Sequence, residues 1–172
     1  MKTIVLTRSL AVVSALAPLP AAMAGGNGHP CRSGDLRTTV EIQVDSMTWD
    51  LQGSPNNEVF LHDLFPGGRD DEFETLLIVT GLGWDLSVET IGSSWQSEAT
   101  LRVSDVWGSG PEVLLSPASG HDFPGAGRYV SGGIVDFSDG GLEDIGLDTR
   151  LVRLEWFESF DDVAGKPDAV VT

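Results

Sequence analysis

The sequence predicts an all-β protein, a single-domain β-sandwich of jelly-roll type with about eight strands. Apolar and polar residues alternate with a period of two in several short segments, as expected for strands with one face on a core. Clusters rich in Gly and Pro separate these segments, and no segment has the periodicity of an amphipathic helix. The 172 residues suffice for one domain with one core.

The first 24 residues have the features of a secretory signal peptide. A basic start with Lys2 and Arg8 accompanies a short apolar stretch, and small residues ending at Ala24 supply a cleavage site. The apolar stretch is too short for a membrane-spanning helix, which takes about 20 apolar residues. We therefore expect cleavage after Ala24, a flexible leader at residues 25–36, the sandwich at residues 37–172, and no membrane span after cleavage.

The processed chain would be strongly acidic. It would carry eight basic against 26 acidic side chains, a formal charge of −18. Such a charge excludes nucleic acid and anionic lipid as main partners, because both would be repelled, and it favours cations. Cys31 stands alone, so an internal disulfide is impossible. A signal peptide without disulfides is typical of a bacterial protein in the periplasm, on the cell surface or in the medium.

Residues 74–89 form the most ordered pattern of the chain. Four consecutive apolar residues at 76–79 predict a strand that is covered on both faces. After Gly81 and Gly83 the chain alternates strictly, and this predicts a half-buried strand. The two glycines permit either a hairpin or a bulge within one long strand.

The other strands are shorter. Residues 117–128 lack any periodicity and predict a long loop, of a length that often carries function. A pair of glycines at 132 and 133 predicts a bulge in its segment. The predicted strands are residues 38–47, 58–65, 99–103, 113–115, 129–137, 151–158 and, as the start of a further strand, 169–172.

Acidic residues in two loops are candidates for a calcium site. Ca²⁺ takes six to eight oxygen ligands, so acids on glycine-rich loops are suitable material, although their spacing here does not match the helical calcium loop. With 26 acidic residues in the chain, clustering by chance is the alternative. Calcium is the expected cofactor, with candidate ligands Asp136, Asp139, Glu143, Asp144, Asp161 and Asp162.

Two tryptophans are candidates for ligand binding. Trp84 and Trp156 lie in apolar strands and are predicted to be core, whereas Trp95 and Trp107 lie in or near loops. A loop tryptophan can stack its apolar face on a sugar ring while polar neighbours fix the orientation. The alternative is that both cap the ends of the sandwich. The candidate ligand-binding residues are Trp95, Glu98, Trp107, His121 and Asp122.

The sequence has no catalytic signature. Its three histidines lack the spacing of a metal motif, and no nucleophile turn of the type Gly-x-Ser-x-Gly occurs. Glu98 with Glu155 or Glu158 would supply the paired carboxylates of a glycosidase only if they faced each other. We therefore expect a protein that is not an enzyme.

Several short stretches resemble a known group of exported bacterial domains. The stretches are Thr80-Gly-Leu-Gly-Trp84-Asp85, Ser94-Trp-Gln-Ser-Glu98-Ala99, His121-Asp-Phe-Pro-Gly125, Ser131-Gly-Gly133 and Leu154-Glu-Trp-Phe-Glu158-Ser-Phe-Asp-Asp162. They are similar to the β-sandwich domain of proteins with the PEP-CTERM sorting signal and, more distantly, to the P domain of subtilisin-like proteases. The resemblance implies export and a β-sandwich. The sorting signal itself, a Val-Pro-Glu-Pro element with a membrane helix and arginines, does not occur in these 172 residues.

Together these features predict an exported, non-catalytic binding or structural module at or outside the cell surface. The expected partner is a polysaccharide or matrix component bound by calcium-supported loops. A P-domain-like module that binds an extracellular protein is one alternative, and a glycan hydrolase with paired carboxylates is the other.

Overall fold

The computed structural model describes residues 3–11, 36–43, 47–64, 76–108, 110–160 and 167–171. In these ranges the chain forms two antiparallel sheets around one apolar core, which confirms the predicted all-β sandwich. Among the described residues, none belongs to a helix with the length and apolarity that a membrane span requires. Cys31 and most of the predicted leader lie outside the described residues.

The described residues contain twelve strands. They are β1 (Thr3–Ala11), β2 (Leu36–Gln43), β3 (Met47–Trp49), β4 (Val59–Asp63), β5 (Leu76–Thr90), β6 (Ala99–Asp105), β7 (Val113–Leu115), β8 (Ala126–Val130), β9 (Val135–Asp136), β10 (Ile145–Leu147), β11 (Leu151–Glu158) and β12 (Ala169–Val171).

The larger sheet is built on β5, which is paired along both edges. Strands β10, β9 and β8 follow one another along one edge, and β1 and β12 lie along the other. Strand β2 pairs with β1, and β3 pairs with β12. A strand with neighbours on both sides has both of its edges hydrogen-bonded, so β5 is the central strand of the larger sheet. In the segment that was predicted to be covered on both faces, Leu77 and Val79 are buried and Ile78 is half-buried.

Strand β1 lies within the predicted signal peptide. It pairs with β2 from Thr3 to Leu10 and with β5 from Thr3 to Ala11. Cleavage after Ala24 would remove β1 and leave residues 76–85 of β5 without this neighbour. Cleavage itself stays a prediction.

Strand β5 is a single strand of 15 residues and not a hairpin. Its pairing with β1 shifts register between Gly81 and Val79, which places a bulge at the first predicted glycine. A Cβ on Gly81 would lie 2.7 Å from the carbonyl oxygen of Val135, and one on Gly83 would lie 2.8 Å from that of Gly133. The two glycines therefore let the segment around β9 approach the strand closely.

The smaller sheet has the order β4-β11-β6-β7. Its inner face packs on the larger sheet, and the indole rings of Trp49 and Trp156 stack between them with centroids 5.4 Å apart. Both rings are fully buried. Trp156 was predicted to be core, and Trp84 is half-buried against the core.

The sequence pattern predicted the positions of most strands but gave too small a number of them, about eight against the twelve in the described residues. Residues 38–47 appear as β2 and the start of β3, and residues 129–137 as parts of β8 and β9 separated by the two glycines. Strand β10 falls outside the predicted strands. Three residues are too few to show an alternating pattern, so a strand of this length leaves no periodic signal.

Candidate functional site

Three acidic side chains from distant parts of the sequence meet at one end of the sandwich. Asp50 directly follows β3, Glu158 ends β11, and Asp168 directly precedes β12. One carboxylate oxygen from each lies within 4.8 Å of the others. The residues are 3%, 1% and 0% exposed, respectively. We refer to Asp50, Glu158 and Asp168 as the acidic triad.

Backbone hydrogen bonds within the larger sheet and between the two sheets bring the triad together. The Glu158 amide donates to the Asp50 carbonyl (3.1 Å), and the Asp168 amide donates to the Trp49 carbonyl (3.1 Å). Leu51 also forms a parallel bridge with Glu158. The triad thus lies where β3 and β12 of the larger sheet meet the end of β11 of the smaller one.

Asp50 is held by its own loop. Its Oδ1 accepts a hydrogen bond from the Leu51 amide (2.7 Å), and its Oδ2 accepts from the Ser54 hydroxyl (2.8 Å) and from Asn56 Nδ2 (3.0 Å). The hydrogen bond from the Leu51 amide is the main reason that the pKa of Asp50 is lowered. Burial acts in the opposite direction, and the hydrogen bonds from Ser54 and Asn56 lower the pKa further. Asp50 is therefore ionised and fixed in orientation.

Glu158 and Asp168 lack such donors. Neither oxygen of Asp168 has a hydrogen-bond donor among the described residues, and neither has Glu158 Oε1. Burial, followed by the neighbouring Asp168, Glu98 and Asp50, raises the pKa of Glu158 to about 9. Once protonated, Glu158 can donate to an oxygen of Asp168, which adds to the upward shift. The triad therefore concentrates negative charge without a compensating cation from the described part of the chain.

A second feature, at the same end, is an exposed aromatic surface. The Gln96 amide donates to the Phe123 carbonyl (3.2 Å), and the Ser97 amide donates to the His121 carbonyl (3.2 Å). The Tyr129 hydroxyl donates to the buried Gln96 Oε1. Two loops are thereby joined and present side chains to solvent. We refer to the exposed residues Trp95, His121, Asp122 and Phe123 as the Trp95 surface.

Two contacts connect the Trp95 surface with the acidic triad. Glu98 Oε2 accepts a hydrogen bond from the Trp95 amide (2.9 Å), and Glu98 is close enough to Glu158 to raise its pKa. The Ile91 amide, at the start of the same loop, donates to the Asp168 carbonyl (2.6 Å). The loop that carries Trp95 is therefore anchored on residues of the triad.

The structure brings four of the five predicted ligand-binding residues to this end and separates the fifth. Trp95 and Glu98 precede β6, whereas Trp107 follows it. A strand of seven residues spans about 20 Å, so the two tryptophans lie near opposite ends of the sheet. Both are exposed, at 46% and 70%. One small ligand cannot contact both indole rings, so the two tryptophans belong to separate surfaces.

Four of the predicted calcium ligands lie in the described residues, and no three of them form a potential metal-binding group. Asp136 Oδ1 accepts hydrogen bonds from the amide and the hydroxyl of Ser138, which closes a local turn. Asp139, Glu143 and Asp144 are exposed. Among the described residues, only the acidic triad groups three potential metal ligands. Asp161 and Asp162 lie outside the described residues.

The predicted carboxylate pairs are only partly brought together. Glu155 lies three residues before Glu158 on β11, so the two side chains point to opposite faces of the strand. Glu155 faces outward and forms an ion pair with Arg153 at 2.8 Å. Glu98 and Glu158 are neighbours at the triad. Glu155 is thus separated from the other two.

Comparisons with protein-family models, with curated proteins and with solved structures found no match to this chain.

Proposed function

We propose that this chain is an exported, non-catalytic binding module whose Trp95 surface contacts an extracellular glycan. The observation that carries the proposal is the exposed Trp95 indole on a loop fixed by buried hydrogen bonds, with His121, Asp122 and Phe123 beside it. An aromatic face with adjacent polar side chains is the usual arrangement for stacking on a sugar ring. The predicted signal peptide and the acidic composition support a location outside the cytoplasm.

Preorganisation supports this choice of surface. The Gln96 side chain is buried and accepts from Tyr129 while Gln96 Nε2 donates to the Phe123 carbonyl (3.4 Å). Loops that are fixed before binding lose less conformational entropy when a ligand arrives. The structure therefore favours a surface that binds without large rearrangement.

The two exposed tryptophans provide a matched test. A panel of bacterial and plant polysaccharides would be screened by affinity electrophoresis with the wild type, Trp95→Ala and Trp107→Ala. We expect Trp95→Ala to weaken binding to the best polysaccharide about tenfold, as stacking of this kind contributes roughly 1 kcal/mol or more. Trp107→Ala should bind like the wild type. Absence of binding to every polysaccharide, or equal losses in both variants, would refute the proposal.

A protein-interaction module is the second candidate, and the outer face of the smaller sheet favours it. Among the described strands, β4 pairs only with β11, so its other edge is open. Val59 and Leu61 on this strand are 45% and 47% exposed, and they lie opposite Glu155 and Arg153. An open edge with apolar side chains is suited to pairing with a strand of another protein. Leu61→Glu should abolish capture of such a partner and leave polysaccharide binding unchanged.

A further inference from the structure

We propose that the acidic triad, Asp50 with Glu158 and Asp168, is a binding site for a calcium ion that joins the two sheets. Nothing in the sequence pattern assigned a metal to these residues. Cation binding at this position does not depend on which ligand the Trp95 surface takes.

Carboxylate oxygens of the triad are buried without hydrogen-bond donors from the described residues. Asp168 is completely buried and both of its carboxylate oxygens lack a hydrogen-bond partner among the described residues. Glu158 is 1% exposed, and its Oε1 also lacks a partner. Buried charged groups in proteins are paired with opposite charge or coordinate a metal. None of the ion pairs found in the described part of the chain involves the triad. A cation would supply the missing positive charge.

The spacing of the oxygens fits a calcium ion. Three ligand oxygens, one per residue, lie within 4.8 Å of one another. Two oxygens on opposite sides of Ca²⁺ are separated by about 4.6–5.2 Å, because each Ca–O distance is about 2.3–2.6 Å. Mg²⁺ demands near-ideal octahedral geometry and gives up its waters reluctantly, so it is seldom held by a site of protein ligands alone. All ligands are oxygen atoms, which Ca²⁺ prefers over thiolate and imidazole.

The hydrogen bonds already present indicate how each carboxylate would bind. Asp50 Oδ2 accepts from Ser54 and Asn56, and Oδ1 accepts from Leu51. Only Oδ1 retains a free lone pair, so Asp50 would bind through one oxygen. Asp168 has both oxygens available, and Glu158 has Oε1. The donors around Asp50 would act as an outer layer that holds a ligand in orientation.

A bound ion would link three separate segments of the chain. Asp50 and Asp168 belong to the ends of β3 and β12, in the larger sheet, and Glu158 to the end of β11, in the smaller one. The ion would therefore add a direct connection between side chains of the two sheets, beside the hydrogen bond from the Glu158 amide to the Asp50 carbonyl.

The test uses the full chain after removal of metal with EDTA, titrated with CaCl₂ in a calorimeter. We expect saturable binding of one Ca²⁺ per chain and weaker binding of Mg²⁺. Asp168→Asn and Glu158→Gln preserve side-chain shape and should each weaken Ca²⁺ binding at least about 100-fold, since loss of an outer-layer partner alone costs roughly 10- to 100-fold. The matched control, Asp139→Asn with Glu143→Gln, removes two exposed loop acids and should bind like the wild type.

A thermal melt gives an independent measure. CaCl₂ at about 1,000 times its dissociation constant should raise the Tm of the wild type and of the control by roughly 8–16 °C. A rise of at most roughly 3–6 °C is expected for Glu158→Gln at the same CaCl₂ concentration, and this variant decides the question if Asp168→Asn does not fold. Absence of heat with the wild type would mean that Glu158 and Asp168 merely share a proton, and this would overturn the proposal. Calcium binding of wild-type strength in Glu158→Gln, or a loss of binding in the control, would overturn it equally.

Discussion

Replacing Glu158 by Gln should stabilise the protein when calcium is absent. In the folded, metal-free protein Glu158 has a pKa of about 9, against an ordinary value of 4.5. Between these pH values the unfolded chain has released the proton while the folded protein retains it. The free energy of unfolding attributable to this group therefore falls as pH rises from 4.5 towards 9. A glutamine side chain is neutral over this whole pH range and therefore avoids the loss. Its amide N–H can donate a hydrogen bond to Asp168, as the O–H of protonated Glu158 does.

The size of the effect follows from the two pKa values. At pH 7.5 the loss would be about 4 kcal/mol, since each pH unit above 4.5 costs about 1.4 kcal/mol. The effective dielectric constant is about 20 even at buried sites, so part of the interaction is screened. We therefore expect Glu158→Gln to gain roughly 2 kcal/mol at pH 7.5, or a Tm higher by about 4–8 °C. At pH 5 the gain should be close to zero.

The assay is urea unfolding in EDTA at pH 5 and pH 7.5, followed by tryptophan fluorescence. The comparison between variant and wild type isolates Glu158 together with its coupling to Asp50, Glu98 and Asp168, because acids elsewhere in the chain contribute equally to both proteins. Asp139→Asn, an exposed acid, serves as the control and should differ little from wild type at either pH. A Glu158→Gln protein that is less stable than wild type at pH 7.5, or whose advantage is the same at both pH values, would refute the reasoning.

Two further substitutions test the packing around the site and around β5. Gly81→Ala should destabilise the protein by about 1–3 kcal/mol, because its Cβ would meet the Val135 carbonyl oxygen at 2.7 Å, a backbone atom that cannot move aside. Gly140→Ala, whose Cβ would meet only side-chain atoms of Leu142 at 3.9 Å, is the control, and equal chemical denaturation midpoints for both variants would contradict this account. Tyr129→Phe should cost about 1–3 kcal/mol because it leaves the buried Gln96 Oε1 without its donor. If denaturation of Tyr129→Phe matches the wild type, the two loops of the Trp95 surface are not joined through this bond.

The strands could be predicted because their signal is local. In β5 the alternation of Trp84, Leu86 and Val88 with polar residues follows directly from a strand with one face on the core, and the structure buries Leu86 and Val88. Short strands such as β10 gave no such signal. The bulge at Gly81 was one of two readings, and only the closeness of the Val135 backbone explains why glycine is required there.

Clustering of acidic residues along the sequence could not predict the acidic triad, because Asp50 lies more than 100 residues before Glu158. One signal did exist. Val152, Leu154 and Trp156 are buried on the inner face of β11, and continuing this alternation places Glu158 inward. A carboxylate at an inward position requires a partner. An acidic residue at a position where the alternation predicts an apolar one was therefore a better indicator of a site than the exposed acids Asp139 and Glu143.

The position of the triad connects stability with the Trp95 surface. Asp168 accepts from the Ile91 amide through its carbonyl, and Glu98, which fixes the Trp95 amide, lies within the electrostatic reach of Glu158. A cation at the triad would lower the repulsion between Glu98 and Glu158 and hold Asp168 in place. Both effects act on the segment between Ile91 and Glu98, which carries the tryptophan. Calcium removal should therefore weaken polysaccharide binding in the wild type, and Glu158→Gln should make that binding indifferent to calcium.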